Sequence, residues 1–257
     1  MCGIVGYIGH RPVCDLLLTG LQRLEYRGYD SAGVAILREE GRLEVEKHKG
    51  KVSNLASACE SMELAGTLGI GHTRWATHGF PSDANAHPHT SGDGSFALVH
   101  NGIIENYGAI KERLQRKGYR FASETDTEAL VHLIDDVRKT TGLSLEEAVR
   151  QALTQVAGTY GLAIVSAEDP DLLIAARNGS PLILGVGEGE YFIASDAAPL
   201  VEHTRQVVYL NDGEIVTIRR GGYEVTTISA DPVDKEVHEL EWDLEEIEKG
   251  GYEHFML

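Results

Sequence analysis

The sequence predicts an α+β protein in which antiparallel sheets are segregated from helices. From Tyr160 onward, short apolar blocks alternate with tight-turn signals such as Asp212-Gly213 and Gly221-Gly222. Connections this short favour antiparallel pairing, and the helical patterns all lie before residue 158. The 257 residues, 42% of them hydrophobic, suffice for one large domain or two small ones with an ample core.

The first part of the chain alternates strand and helix patterns. Pro12 stands where a helix begins, and apolar residues follow it at helical spacing until an expected end near 27–28. Further helices are predicted over 51–62, 107–117, 125–139 and 145–157, the last opened by a capping box of Ser144 and Glu147. Strands are predicted over 3–8, 32–37, 43–49, 67–73 and 95–100.

The second part of the chain is predicted to consist of strands and turns. The strands are expected over 162–165, 172–176, 182–186, 191–194, 207–210, 214–218 and 225–228. The glycine-rich run at 185–189 could alternatively be a nucleotide-binding loop. No helical pattern follows it, and its acidic residues would repel phosphates, so we interpret it as a hairpin turn.

The composition of the chain excludes some classes of binding partner and indicates the cellular compartment. The net charge of −17 argues against a nucleic-acid or anionic-membrane partner, because both need a basic patch. No apolar run is long enough to span a membrane, and no signal-peptide pattern is present, since polar residues begin at His10. The three cysteines, Cys2, Cys14 and Cys59, form no C-x-x-C pair. We therefore expect a cytoplasmic protein.

Cys2 is the residue with the most distinctive chemistry. If Met1 is removed, Cys2 carries a thiol nucleophile and a free α-amine on one residue. An α-amine titrates near pH 7.7–8.0, so it can take the thiol proton at neutral pH without a separate histidine base. The alternative is a small apolar residue that opens the first strand, as buried cysteines often do.

The segment 71–79 places several functional side chains at the end of a strand. Arg74, Trp75, Thr77 and His78 lie there, at the start of a stretch rich in His, Pro, Gly and Ser that extends to residue 94. A loop of that length inside a compact domain is usually functional. The guanidinium fork of Arg74 suits bidentate binding of a carboxylate, and its alternative is a surface ion pair.

Two further segments carry groups suited to an amide substrate. Asn101 and Gly102 follow the strand that is expected to end at residue 100, and their two N–H donors could stabilise an oxyanion. The alternative there is a plain Asn-Gly turn. Asp126 lies where a helix begins and could bind an ammonium group, or it or Thr125 could simply cap the helix.

The histidines offer a metallohydrolase alternative. His72, His78, His87 and His89 would be the ligands. The sequence contains no His-Glu-x-x-His motif, and His87-Pro88-His89 directs its imidazoles poorly toward one ion. We therefore expect no metal.

The chain also resembles a known family over nearly its whole length. The similarity extends to Asp196, to Thr204-Arg205 and to residues 241–257. The most specific stretches are 2–6 (Cys-Gly-Ile-Val-Gly), 24–33, 74–79, 100–102 and 123–128. They are similar to the glutaminase domain of the glucosamine-6-phosphate synthase family, also called glutamine–fructose-6-phosphate aminotransferases (isomerizing). These enzymes belong to the class II glutamine amidotransferases.

The resemblance implies a fold and a set of catalytic residues. The fold is that of N-terminal nucleophile hydrolases, a four-layer αββα sandwich of two antiparallel sheets. Cys2 matches the nucleophile, with its own α-amine as the base. Asn101 and Gly102 match the oxyanion hole, and Arg27 matches an arginine that supports the site.

The resemblance also implies substrate-binding residues. Arg74 matches the group that binds the glutamine carboxylate, and Asp126 matches the partner of the glutamine ammonium. Thr77 and His78 match a loop that closes over the substrate, and Trp75 matches an aromatic residue that gates the passage of ammonia.

We therefore expect a glutaminase domain over 1–240, followed at 241–257 by the start of a linker toward a sugar-isomerase domain that this sequence lacks. The substrate would be L-glutamine, with no cofactor, and fructose 6-phosphate would bind only to the missing domain. The full-length enzyme is expected to be a homodimer that acts in hexosamine biosynthesis, and the isolated domain a monomer. If Met1 were retained, the thiol would lack its base and the domain would be catalytically silent.

Overall fold

The computed structural model describes residues 2–60, 62, 64–76 and 78–240. Met1, Thr77 and the expected linker at 241–257 lie outside the described residues. The helices are α1 (Val13–Arg23), α2 (Val52–Glu60), α3 (Tyr107–Arg116), α4 (Asp126–Thr141) and α5 (Leu145–Leu153), with a short 3₁₀ turn at Glu25–Arg27.

The described strands form two sheets, and every strand pair within them is antiparallel. The strands of the first half are β1 (Gly3–Ile8), β2 (Ser31–Arg38), β3 (Leu43–Lys49), β4 (Gly66–Arg74), β5 (His89–Thr90) and β6 (Phe96–Ile104). Those of the second half are β7 (Gly158–Ser166), β8 (Leu173–Asn178), β9 (Ile183–Val186), β10 (Tyr191–Ala194), β11 (Gln206–Tyr209), β12 (Glu214–Arg219), β13 (Gly222–Thr227) and β14 (His238–Glu239).

The larger sheet has the order β14-β11-β9-β10-β1-β4-β2-β3, and the smaller has the order β13-β12-β8-β7-β6-β5. β1 therefore lies in the interior of its sheet, with β4 on one side and β10 on the other. The helices α1 and α2 cover the outer face of the larger sheet. The helices α3, α4 and α5 cover the outer face of the smaller sheet. This is the four-layer arrangement that the resemblance implied.

Among the described residues, three apolar cores separate the four layers. The central core joins the facing sides of the two sheets and includes Ile4 and Ile70 from one sheet with Val99 and Val165 from the other. β1 and β4 are both buried along almost their whole length, and β1 accordingly appears in the sequence as an almost continuous apolar run. This double burial fixes the position of both strand ends that reach the candidate site.

Most predicted elements are confirmed, with differences at their ends. α1 ends at Arg23 instead of near 27–28, and α5 ends at Leu153 instead of 157. The Ser144 side chain accepts a hydrogen bond from Glu147 N at 3.3 Å, which confirms Ser144 as the N-cap of α5. Residues 187–190 connect β9 to β10 as a hairpin turn, which confirms the hairpin interpretation of the run at 185–189. No described helix is both long and apolar enough to cross a membrane.

The prediction that a strand ends at residue 100 is wrong. β6 continues to Ile104 and pairs with β7 along its full length, from Phe96 opposite Ser166 to Ile104 opposite Gly158. The partner strand supplies the missing ladder, so the Asn-Gly pair that suggested a turn instead lies inside a sheet. The sequence patterns also missed β5 and β14, each only two residues long.

Candidate active site

Cys2 lies at the entrance of β1, immediately before Gly3. Its thiol sulfur accepts a hydrogen bond from Trp75 N at 3.3 Å and lies 3.5 Å from Trp75 O, to which it donates. Burial raises the pKa of the Cys2 thiol above its ordinary value, and the hydrogen bond from the Trp75 backbone offsets part of this rise. The thiol is therefore protonated at neutral pH and needs a base before it can act as a nucleophile.

Backbone contacts hold the start of β1 in place. Ile4 N donates to Ser195 Oγ at 3.0 Å, and Ser195 N donates to Ile4 O at 3.1 Å. Gly3 packs so closely that a Cβ there would lie 2.6 Å from Thr73 Oγ1. The first strand therefore presents Cys2 from a rigid position.

Asn101 brings the second sheet to the same point. Its Nδ2 donates to the carbonyl oxygen of Cys2 at 3.1 Å, and its side chain is 7% exposed. Gly102 follows with φ +131°, and a Cβ there would lie 2.1 Å from Thr159 O. Only glycine fits that backbone, so the plain-turn alternative is replaced by a constrained position inside β6.

Arg74, the last residue of β4, is buried, so the surface ion-pair alternative is wrong. Its Nη2 donates to the carbonyl oxygens of His78 and Gly79, the latter at 3.3 Å. Within the described part of the chain, its Nη1 is buried without a hydrogen-bond partner. A buried, unpaired guanidinium N–H is costly, and an anion bound beside it would satisfy it.

Asp126 is the first residue of α4 and is 4% exposed. Its Oδ2 accepts a hydrogen bond from Ile104 N at 2.8 Å, at the end of β6. The helix cap is Thr125, whose side chain accepts from Glu128 N. The capping alternative is thus correct for Thr125, and Asp126 is held instead against the end of the neighbouring strand.

These segments meet around one small cavity between the end of β4 and the start of α4. Expected site residues that line it are Cys2, Arg74, Trp75, His78, Gly102 and Asp126. A thiol, a buried cation and a buried carboxylate therefore face the same space. The expected Thr77 lies outside the described residues.

Arg27 does not line this cavity. Its Nη1 forms an ion pair with Asp196 Oδ2 at 2.6 Å, and Tyr26 donates to the same oxygen at 2.8 Å. Asp196 follows Ser195, which forms hydrogen bonds with both the backbone N–H and the carbonyl oxygen of Ile4. Arg27 therefore contacts the segment that holds β1 in place, and this strand connects it to Cys2.

The histidines of the metal alternative contact each other and protein groups. His72, His87 and His89 are buried with His100, and the rings of His72 and His87 lie with centroids 4.2 Å apart, tilted by 31°. His89 Nε2 lies 2.9 Å from Thr125 Oγ1. Burial lowers the pKa of His72 and of His89 to about 3, so both are neutral at neutral pH. Among the described residues, no three His, Cys, Asp or Glu side chains are grouped as metal ligands would be.

Sequence reasoning assigned no role to Asp30, which orders the loop after β4. Asp30 N donates to Arg74 O at 3.1 Å, and its carboxylate accepts from Ala76 N. Tyr29, beside it, packs edge-on against Trp75 with ring centroids 5.5 Å apart. Both residues lie in the stretch 24–33, which carries part of the family resemblance. Nothing in the local sequence pattern, however, indicated that this stretch contacts residues 74–76.

Comparisons with known proteins show the family to which the chain belongs. A family model described as a glutamine amidotransferase domain matches residues 72–202. The glutamine–fructose-6-phosphate aminotransferase (isomerizing) of Chlorobaculum tepidum is 58% identical over 100% of this chain and 42% of its own length. The enzyme of the same name from Thermus thermophilus is 54% identical, again over 100% of this chain and 42% of its own length. The chain thus spans less than half the length of these relatives.

Solved structures with a similar fold include another amidotransferase. The glutamine phosphoribosylpyrophosphate amidotransferase from B. subtilis superposes with a TM-score of 0.77 and 26% identity, over 90% of this chain and 50% of that one. A glutamine aminotransferase class-II domain protein from Silicibacter pomeroyi, at 16% identity and TM-score 0.59, shares the fold. The matched family model, together with these relatives, confirms the resemblance seen in the sequence: the chain belongs to the glutamine amidotransferase domain family.

Proposed function

We propose that this domain hydrolyses the side-chain amide of L-glutamine to glutamate and ammonia, with Cys2 as the nucleophile. One observation carries the proposal: Cys2, Arg74 and Asp126 line a single cavity. Free glutamine carries an amide, a carboxylate and an ammonium, and these three groups match the three side chains in kind.

Arg74 and Asp126 would select the substrate by its charged end. The buried Nη1 of Arg74 has no hydrogen-bond partner among the described residues, and a substrate carboxylate would supply one. The Asp126 carboxylate, already oriented by Ile104 N, would bind the ammonium. His78, with the adjacent Thr77, would close over the bound substrate, and the half-exposed Trp75 ring would cover the exit for ammonia.

The chemistry requires a free α-amine on Cys2, and therefore removal of Met1. The amine takes the thiol proton, and the thiolate forms a C–S bond to the amide carbon while the carbonyl oxygen becomes an oxyanion. A second N–H of Asn101 and the N–H of Gly102 stabilise that oxyanion. The protonated amine returns its proton to the nitrogen as the C–N bond breaks, releasing ammonia. Water, activated by the neutral amine, then cleaves the thioester to glutamate and restores the thiol.

Arg27 supports this site from behind, through Asp196 and the Ser195 contacts that hold β1. Its role is to keep the nucleophile strand in place, because its ion pair with Asp196 adjoins the hydrogen bonds between Ser195 and Ile4.

We further propose that in the whole protein the ammonia is delivered to fructose 6-phosphate to form glucosamine 6-phosphate. Two observations support this: the relatives are named glutamine–fructose-6-phosphate aminotransferases, and more than half of the length of each relative lies outside the part that this chain matches. That reaction would belong to cytoplasmic hexosamine biosynthesis and to a homodimeric enzyme. The isolated domain, as a monomer, would release ammonia without a sugar product.

The test compares Cys2→Ala with Cys14→Ser in an assay that measures glutamate and ammonia together. Mass spectrometry of the N-terminal peptide first establishes that Met1 has been removed. We expect Cys2→Ala to abolish hydrolysis with unchanged thermal stability, and Cys14→Ser, a partly buried cysteine outside the site, to retain it. Comparable turnover by the Cys2→Ala protein would exclude Cys2 as the nucleophile. A processed but inactive native protein would exclude the glutaminase function itself.

A further inference from the structure

His72 is a buried residue of β4 to which the mechanism above assigns no task. Its Nε2 lies 3.0 Å from Asn101 Oδ1 and 3.1 Å from His100 O, and its side chain is 0% exposed. Its other ring nitrogen, Nδ1, is buried without a hydrogen-bond partner among the described residues. Both polar contacts of this ring are therefore made by one atom, and one of them is to the amide that contacts Cys2.

The contacts of Nε2 determine where the ring proton lies. A carbonyl oxygen can only accept, so the neighbouring His100 O requires that Nε2 carry the hydrogen. Burial lowers the pKa of His72 to about 3, so the ring is neutral and has a single N–H. The backbone of His100 thus fixes the Nε2–H tautomer, and Nδ1 is left as an unprotonated acceptor.

This tautomer in turn determines the orientation of the Asn101 amide. An amide can rotate by half a turn about its last torsion, which exchanges its oxygen and nitrogen. In the observed orientation the oxygen accepts from His72 and the nitrogen donates to Cys2 O at 3.1 Å. In the rotated orientation an N–H would face the His72 N–H, and the amide oxygen would face the Cys2 carbonyl oxygen. Both contacts would be repulsive.

We propose that His72 is a positioning residue that holds the Asn101 amide with its N–H groups toward Cys2. The proposal deepens the proposed function, because it rests on Asn101 as an oxyanion donor. An oxyanion donor contributes in full only if its orientation is set before the reaction begins, since reorientation during the reaction costs part of the stabilisation. His72 supplies that orientation from a rigid strand and does not itself contact the substrate cavity.

A matched pair of variants tests this role. In His72→Gln the side-chain amide reaches the position of Nε2 and can still donate to Asn101, whereas in His72→Asn it reaches only the position of Nδ1. We expect His72→Asn to lower kcat by about tenfold to a hundredfold, less than direct loss of a donor, with little change in KM. His72→Gln should recover most of that loss. His10→Gln, on an exposed histidine far from the site, serves as the control.

A double-mutant cycle separates positioning from a structural role. If His72 acts through Asn101, His72→Asn should cost less than about twofold in kcat when Asn101 is already alanine. An equal loss in both backgrounds, or equal kcat for the Gln and Asn variants, would overturn the proposal.

A second readout does not depend on catalysis. The side-chain NH₂ resonances of Asn101, assigned by their disappearance in Asn101→Ala, should move in His72→Asn and stay near their native positions in His72→Gln. Unmoved resonances in His72→Asn would also overturn the proposal. Failure of the underlying function is recognised separately: a processed native protein would be inactive if the domain were not a glutaminase, and Asn101→Ala would raise KM and leave kcat unchanged if Asn101 were not an oxyanion donor.

Discussion

The side chain of Asn101 donates a hydrogen bond to the carbonyl oxygen of Cys2 at 3.1 Å, across 99 positions of sequence. This bond joins the residue immediately before β1, in the larger sheet, to β6 of the smaller sheet at the edge of the candidate cavity. The proposed nucleophile and oxyanion donor are therefore fixed relative to each other by the packing of the two sheets, and each can be tested separately.

Replacing Asn101 with alanine should lower kcat by about a hundredfold to a thousandfold, the usual cost of one lost oxyanion donor. KM should change little, because the interaction develops only in the transition state. Steady-state kinetics with glutamine check this, with Asn54→Ala on α2 as the control. A raised KM with an unchanged kcat would make Asn101 a binding residue.

Arg74 and Asp126 should discriminate glutamine from blocked analogues. An analogue that lacks one charge leaves the matching buried side chain unpaired, so N-acetylglutamine and glutamine methyl ester should each lose at least about a hundredfold in kcat/KM. Asp126→Ala should reduce the preference for glutamine over the N-acetyl analogue alone. Arg74→Ala should reduce the preference over the methyl ester alone.

Each of these two variants is the control for the other. Native protein that hydrolyses glutamine and N-acetylglutamine equally well would leave Asp126 as a residue that only anchors α4 to the end of β6.

Gly102→Ala should strongly destabilise the domain. Its φ of +131° is unfavourable for alanine, and the new Cβ would lie 2.1 Å from Thr159 O on the paired strand β7. We expect a loss of more than about 2 kcal/mol in the free energy of unfolding, from backbone strain and the clash together. Gly94→Ala is the matched control, since Gly94 also has positive φ (+73°) but no neighbouring atom within 4 Å. Equal losses in urea unfolding would show that the clash contributes nothing.

The buried histidines should make stability depend on pH above the range in which carboxylates titrate. Burial lowers the pKa of His72 and of His89 to about 3, whereas an unfolded chain protonates histidine near pH 6.5. Below pH 6.5 the unfolded state therefore binds protons that the folded state does not, and the free energy of unfolding falls as the pH falls toward 3. Each such histidine contributes up to about 1.4 kcal/mol per pH unit.

Urea unfolding at pH 7, 6 and 5 measures this dependence. His89→Gln should reduce the slope of stability against pH by about one proton, with His10→Gln, at an exposed position, as the control variant. An unchanged slope in His89→Gln would mean that His89 is protonated in the folded state or is not a source of the pH dependence.

Local sequence patterns were enough to predict most helices and strands. Periodicity reflects which faces are buried, so the α+β class and the antiparallel connections could be inferred without the structure. The Ser144 cap and the hairpin turn at 185–189 depend on residues close in sequence, and both predictions are confirmed. The resemblance, carried by short stretches such as 2–6 and 74–79, gave the candidate residues and the layer order.

Tertiary structure alone decided how those residues are held. β6 extends through Asn101 and Gly102 because β7 pairs with it, and that ladder is not encoded in the residues around position 101. Arg74 is buried because the loop that follows β4 folds back over it, although an arginine by itself suggests a surface position.

The orientation of the Asn101 amide depends in the same way on distant groups. His72 and Cys2 contact its two ends, and neither lies near it in sequence. Periodicity is a property of neighbours along the chain, so it predicts which face of a strand is buried. Hydrogen bonds between sheets form only after those strands pack together, and therefore the geometry of the site could not be deduced from the sequence.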